Sequence, residues 1–308
     1  MPIGIFLYEI EKSFGPQIIA DYYITQEKVT PEILKIFNEK HIKKHLADAT
    51  HRLKNSLYYS SLIEVISKKN NYYLGFILKE EEDLISLKSI FEKIEAKIAQ
   101  EFTPKDKKKI QALLKDVLNS TISLFEKLKE PIIIKDTINE KTKQMLDEGK
   151  LQEARELIDL GEIIPEKLSA EIKLAEESLK ESNYRKAKKS YLKAADLAEQ
   201  IRETEIVDFL KNKAEHVGSI PDLLKTRDAI NKGIRKRLEE LEDIKLEYRI
   251  YEKLIPLIEK NIQISYSLED SDQIKILEKL VKLSNSALKN ALDLKKLDDE
   301  IKSLLKKV

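Results

Sequence analysis

Strand-forming sequence is confined to the first 80 or so residues of this chain, and helical periodicity runs through almost everything that follows. A chain ordered this way cannot alternate strand and helix into a parallel sheet. It has to segregate its sheet at one end, which places it in the α+β class. At 308 residues there is room for about two domains and a real core. Charged residues make up 36% of the chain against only 7 Gly and 8 Pro, as expected of long solvated helices.

The strand region opens with Ile3-Gly4-Ile5-Phe6-Leu7-Tyr8, a continuous apolar run that predicts a strand buried on both faces. Gly15-Pro16 supplies a turn, and Gln17 to Ile24 a second strand, giving an antiparallel hairpin. Thr30-Pro31-Glu32 starts a helix, with Thr as cap and Pro in the first turn, running to about Lys44. Ala47 to Leu53 is ambiguous. Leu57 to Ile66 and Tyr72 to Leu78 form a second hairpin, so four strands are clear and a fifth is open. Glu80 to Asp83 supplies negative charge at the start of a helix whose apolar stripe is Leu84, Leu87, Phe91, Ile94, Ile98 and Phe102. Thr103-Pro104 opens another, striped by Ile110, Leu113, Leu114, Val117, Leu118, Thr121, Leu124, Phe125 and Leu128 and stopped at Glu130-Pro131.

Strand, strand, helix, strands and two helices over residues 1 to 130 resemble the longin family. The likeness is carried by the Ile3 to Tyr8 strand, Phe14-Gly15-Pro16, the Tyr72 to Leu78 strand and Glu80 to Asp83. The roadblock type of profilin-like fold is the competing assignment. A longin resemblance implies a domain of membrane traffic and small-GTPase regulation whose sheet and first helix bind other proteins. Longin proteins of the fusion machinery end in an apolar membrane anchor, which this sequence does not show, so the resemblance favours an adaptor or tether.

Residues 131 to 218 read as a helical region opened by a capping box at Thr137 and Glu140. Gly149 to Gly161 aligns at an offset of 33 with Ser182 to Ala194. Tyr184, Ala187, Tyr191 and Ala194, with Leu174 and Ala175 before them, resemble the tetratricopeptide repeat; Leu151, Ala154, Ile158 and Gly161 form a weaker first copy. A plain helical hairpin is the alternative. Gly218 to Asp222 reads as a helix break. From 219 to 308 a long hairpin is expected, about 30 residues or roughly 45 Å per arm. One arm would use Ile234, Leu241, Tyr248, Ile255 and Ile262 with Ile244, Tyr251 and Ile258. The other would use Ile276, Leu280, Leu283, Ala287, Leu294, Leu297, Ile301, Leu304 and Val308, interrupted by Asn290. Pro256 predicts a kink.

Chemistry is sparse. The glycines form neither of the phosphate-cradling patterns, GxGxxG or GxxxxGK[ST], and there is no cysteine for a thiolate, a disulfide or a cysteine-type zinc site. His41 and His45 lie four apart, with no Glu between them in the HExxH arrangement, and read as a solvated face rather than a metal pair. No catalytic residue, metal ligand or cofactor is therefore assigned.

Net charge is +1, so no bulk field draws the chain to nucleic acid or lipid. Two local basic clusters stand out, Arg185, Lys186, Lys188, Lys189 and Lys193, and Arg235 to Arg237; both read first as solvated faces. The candidates for partner contact are Arg185 and Lys189, which could meet an acidic partner, and the strand tyrosines Tyr22, Tyr23, Tyr58 and Tyr59, since alternation turns one of each pair outward. There is no signal-peptide pattern, no apolar run of membrane-spanning length and no lipidation motif. The expectation is a cytoplasmic, non-catalytic adaptor or scaffold. Its partners would be proteins, among them small GTPases or coat- and tether-like subunits, with membrane association only through them and no nucleic acid. The alternative is a structural subunit of a larger assembly held by the helical hairpin. An enzyme would need converging polar groups in a cleft.

Overall fold

A computed structural model describes residues 1–11, 14–64, 66–67, 71–79, 84–102, 106–239 and 248–305. The chain divides into two compact units, Met1–Gly218 and Ser219–Val308.

The first unit begins with a five-stranded antiparallel sheet. Strands β1 (Pro2–Glu11), β2 (Gly15–Tyr23), β3 (Asp48–Leu53), β4 (Ser56–Leu62) and β5 (Asn71–Lys79) lie in the order β2-β1-β5-β4-β3. The ambiguous segment at 47–53 is thus the fifth strand. Strand β1 is interior, between β2 and β5, and buried along nearly its whole length, as its unbroken apolar run predicts. Phe6 lies opposite Gly75 in the register, and a Cβ at Gly75 would fall 2.1 Å from the Phe6 ring, so the ring fits only because position 75 has no side chain.

One face of the sheet packs on α1 (Pro31–Asn38), capped by the Thr30 hydroxyl accepting from the Ile33 amide and continued by a π-helical turn over Glu39–Lys43. Phe6, Tyr8, Tyr58, Tyr73 and Ile77 meet Ile33, Leu34 and Phe37 there. Helices α2 (Leu84–Glu101) and α3 (Lys107–Lys129) bring their apolar stripes to the opposite face, against Ile5, Leu7, Tyr59, Leu74 and Phe76. The predicted cap Thr103-Pro104 and the carboxylates Glu80 to Asp83 lie outside the described residues. The start of α3 is set by Asp106, whose carboxylate accepts from the Lys109 amide at 3.1 Å.

The same core continues without interruption into α4 (Pro131–Asp147), α5 (Leu151–Lys180), α6 (Tyr184–Gln200) and α7 (Thr204–Glu239). Three expectations are corrected here. Helix α4 starts at Pro131, and Thr137 lies inside it with its hydroxyl donating to the Ile133 carbonyl, so no capping box forms. The weaker repeat copy is no two-helix unit. Helix α5 runs 30 residues straight through Gly161 and Pro165, and Leu151 and Ile158 are exposed. Gly161 instead lets Ile138 of α4 approach closely, at 2.8 Å from where a Cβ would sit. The stronger copy behaves as its spacing implies, with Ala187, Tyr191 and Ala194 fully buried on α6. Finally, α7 is continuous through Gly218 and Pro221, because proline interrupts only one helical bond and the following turns hold their own.

In the second unit, residues 219–239 of α7 pack antiparallel to α8 (Tyr248–Ser267), joined by the Asn261 amide donating to Asn231 Oδ1 at 2.6 Å. Arg227 pairs with Asp270 at 2.9 Å. A three-residue turn leads to α9 (Ser271–Leu305), which packs along α8. The first expected arm, drawn through Ile234 to Ile262, is divided between α7 and α8, with residues 240–247 outside the described residues, and α9, the second, has 35 residues. Ile234, Ile258 and Ile262 of the first predicted seam are buried, whereas Leu241 and Ile244 lie outside the described residues. The second predicted seam does not face α8. Ile276, Leu283, Leu294, Leu297, Ile301 and Leu304 are exposed, and α9 meets its neighbours through Leu277, Ser284 and Ala291 instead.

Candidate functional site

The expectation of an outward-turned tyrosine fails for Tyr58 and Tyr59. Because helices cover both faces of the sheet, alternation sends side chains into one core or the other rather than outward. Tyr58 is buried on the α1 side, its hydroxyl donating to Glu27 Oε1 at 2.8 Å. Tyr59 is buried on the other, edge-on to Phe91 with its ring centroid 5.7 Å away. Tyr22 and Tyr23 on the edge strand are half-buried. The ring of Tyr22 lies under Lys115, and that of Tyr23 closes over Gly4. Burial raises the phenol pKa values of Tyr23, Tyr58 and Tyr59, so all three stay protonated.

Inside the α1 face lies a polar chain that the sequence did not reveal. His41 Nδ1 meets the Leu46 carbonyl at 2.6 Å and Nε2 meets Ser60 Oγ at 3.0 Å; Ser60 Oγ is 2.7 Å from the Tyr8 hydroxyl. A carbonyl only accepts, so Nδ1 carries the proton, Ser60 donates to Nε2, and Tyr8 donates to Ser60. Burial lowers the His41 pKa to about 4, leaving the ring neutral at pH 7. Hydroxyl, imidazole and orienting acceptor have the spacing of an activated nucleophile, but Ser60 is 0% exposed and no substrate reaches it. The chain ties the π-helical turn to β1 and β4. The solvated face expected of His41 and His45 holds only for His45, exposed at a positive φ of 53° beyond that turn, whereas His41 is buried. Among the described residues no cluster of three or more His, Asp or Glu could hold a metal.

A concave surface lies where α7 crosses α2 and α3. Its cavity of about 560 Å³ has Ile90, Ile94, Val117, Leu124 and Phe209 along its floor and Glu92, Lys93, Lys97, Glu205 and Asp208 at its rim. Lys93 lies 3.8 Å from Glu205 and 3.9 Å from Asp208 across the opening. Just below, the head and the helical body are bolted together. Lys213 is 4% exposed, donates to Ser86 Oγ at 2.8 Å and lies 4.9 Å above the Tyr191 ring, while the Asn212 amide donates to the Ser89 carbonyl at 2.9 Å. Glu203, almost wholly enclosed, is held by Lys141 and Lys127. A lysine among lysines gives no sign in sequence that it is the buried one, which is why this seam was missed.

Arg185 and Lys189 are exposed one turn apart on α6, with no ion-pair partner among the described residues, whereas Lys193 a turn further on is answered by Glu171 at 3.3 Å. They lie on a different surface from the tyrosines, so the predicted contact residues do not form one site. No described helix is long and apolar enough to cross a membrane. Compared with protein-family models, curated proteins and solved structures, the chain matches none of them. Fold and surface therefore define its class on their own: an α+β protein with an antiparallel sheet head merged into a helical body.

Proposed function

We propose that this protein is a non-catalytic adaptor or scaffold in a membrane-trafficking or small-GTPase-linked system. Its longin-like head and helical body each dock a protein partner, with small GTPases and coat- or tether-like subunits as the partner classes. One observation carries the reading: the groove between α2, α3 and α7 combines an apolar floor with a rim of both charge signs at the join of head and body. Such a surface suits a peptide or helix presenting a few apolar anchors between charged residues. The exposed pair Arg185 and Lys189 offers a second, electrostatic contact for an acidic partner. The element order of the head, strand pair, helix, three strands and two helices, supports the longin comparison over residues 1 to 130. The cytoplasm is the compartment this reading implies.

The test uses the full-length protein as bait, first with purified small GTPases in their GDP and GTP-analogue states, then with native extract read by mass spectrometry. Retention of a GTPase or a coat-like subunit is expected. It should fall at least about tenfold in Leu124→Glu, which charges the groove floor, or in the double change Arg185→Glu and Lys189→Glu. A wild type that retains neither class, or variants that retain as much as wild type, overturns the reading.

A further inference from the structure

Helix α9 has two apolar faces. Leu277, Ser284 and Ala291, with the half-buried Ile274, Val281 and Leu288, form the one enclosed within its own unit. The other consists of Ile276, Leu280, Leu283, Ala287, Asn290, Leu294, Leu297, Ile301 and Leu304; Leu280 and Ala287 are half-buried and the other seven are exposed. Ile276, Leu283, Leu294, Leu297, Ile301 and Leu304 are 65%, 58%, 52%, 57%, 55% and 62% exposed. From the geometry we infer that this outer face is a self-association seam, on which α9 of a second copy of the chain packs as a parallel, in-register coiled coil.

The spacing argues for a helix as the occupant. Steps of four and three alternate without a slip from 276 to 304, a strict mean period of 3.5. A straight helix drifts about 20° per heptad from such a stripe, so only another helix supercoiling with it can stay in contact along its roughly 42 Å. No other helix of its own unit serves. With 20 residues, α8 spans roughly 30 Å and already packs on α9. A second α9 matches the seam in length and pattern by identity. Two copies burying these six side chains would remove on the order of 1,000 Å² of surface, the size at which specific interfaces begin.

Asn290 selects the orientation. It is the single polar residue in the seam and lies at its middle. In a parallel, in-register pair it faces its own copy, and the two amides donate and accept between them. In an antiparallel pair each layer sets the row of 276, 283 and 290 against the row of 280, 287 and 294, and the two registers that keep most of the seam place Asn290 opposite Ala287 or Leu294, leaving a polar group without a partner. Ala287, one turn before it, permits the close approach that such an amide pair needs.

Two measurements on the purified full-length chain test this, independently of any other partner. Sedimentation equilibrium at micromolar concentration should give twice the 35.7 kDa chain mass for wild type. In the double variant Leu294→Lys and Leu297→Lys self-association should weaken at least about 100-fold, with helical circular dichroism unchanged, because both side chains lie outside the unit's core. The native chain has no cysteine, so Leu297→Cys should cross-link rapidly to itself under mild oxidation, while Ser303→Cys, off the seam, should not. A monomeric wild type overturns the inference, as does a dimer indifferent to the lysines or equal cross-linking at both positions.

Discussion

His41 illustrates how much one buried side chain can decide. In the unfolded chain its ring gains a proton near pH 6.5, and in the fold only near 4, because burial penalises the charge. The unfolded state therefore binds more protons between those values, and stability falls as pH drops through that window, by on the order of 3 kcal/mol once both are passed. His51, more exposed, is shifted in the same direction by burial and by Lys40. Urea unfolding of wild type and His41→Gln from pH 7 to 4.5 checks this: the variant's midpoint should fall less steeply with pH than that of wild type. Parallel slopes would mean that the buried ring is not the source. None of this was legible beforehand. His41 and His45 looked alike in sequence, and what separates them is that only position 41 meets Ser60 and the Leu46 carbonyl.

At the scale of single elements, local signals did well wherever a cap or a period acts alone. Thr30-Pro31 starts α1 because the hydroxyl satisfies an amide that the first turn cannot. Thr30→Ala should cost about 1 kcal/mol in thermal or urea unfolding, and Thr30→Ser should recover most of it. Thr137 and Glu140 carry the same cap signature and are overruled, because Ile134 and Ile138 must both reach the core and only a helix already running from Pro131 puts them there. The seam on α9 is the reverse case. Its heptads were read correctly as a pattern, but pattern alone does not say against what it packs, and the neighbouring row through Leu277 and Ala291 took the contact with its own unit.

For the molecule as a whole, the sheet and the helices through residue 218 share one core rather than meeting as separate domains. Phe125, Leu128 and the α2 stripe are completed by Ile134, Ile138, Phe209 and Leu210 from beyond residue 130. A fragment of residues 1–130 should accordingly bind a hydrophobic dye and melt well below the full chain, by on the order of 10 °C if it folds at all. A fragment as stable as the full chain and free of dye would show that the head closes its own core. The same sharing explains why the groove escaped the sequence reading: its floor comes from residues more than a hundred positions apart, whose charges and apolar groups look ordinary where they stand.

What the sequence determined by itself was whatever depends on neighbours along the chain: the strands and their hairpins, the helix periods, the absence of phosphate loops and cysteines, and the α+β order. Those follow from backbone geometry repeating every two or 3.6 residues, which a linear pattern can encode. Tertiary structure alone decided which residues became buried and which stayed outside. It enclosed Tyr58 and Tyr59 between two helical layers, singled out Lys213 among many lysines as the bolt of the head, and left the α9 seam uncovered. These outcomes depend on which surfaces the folded chain brings together in space, and side chains of identical type become distinguishable only through what they meet there.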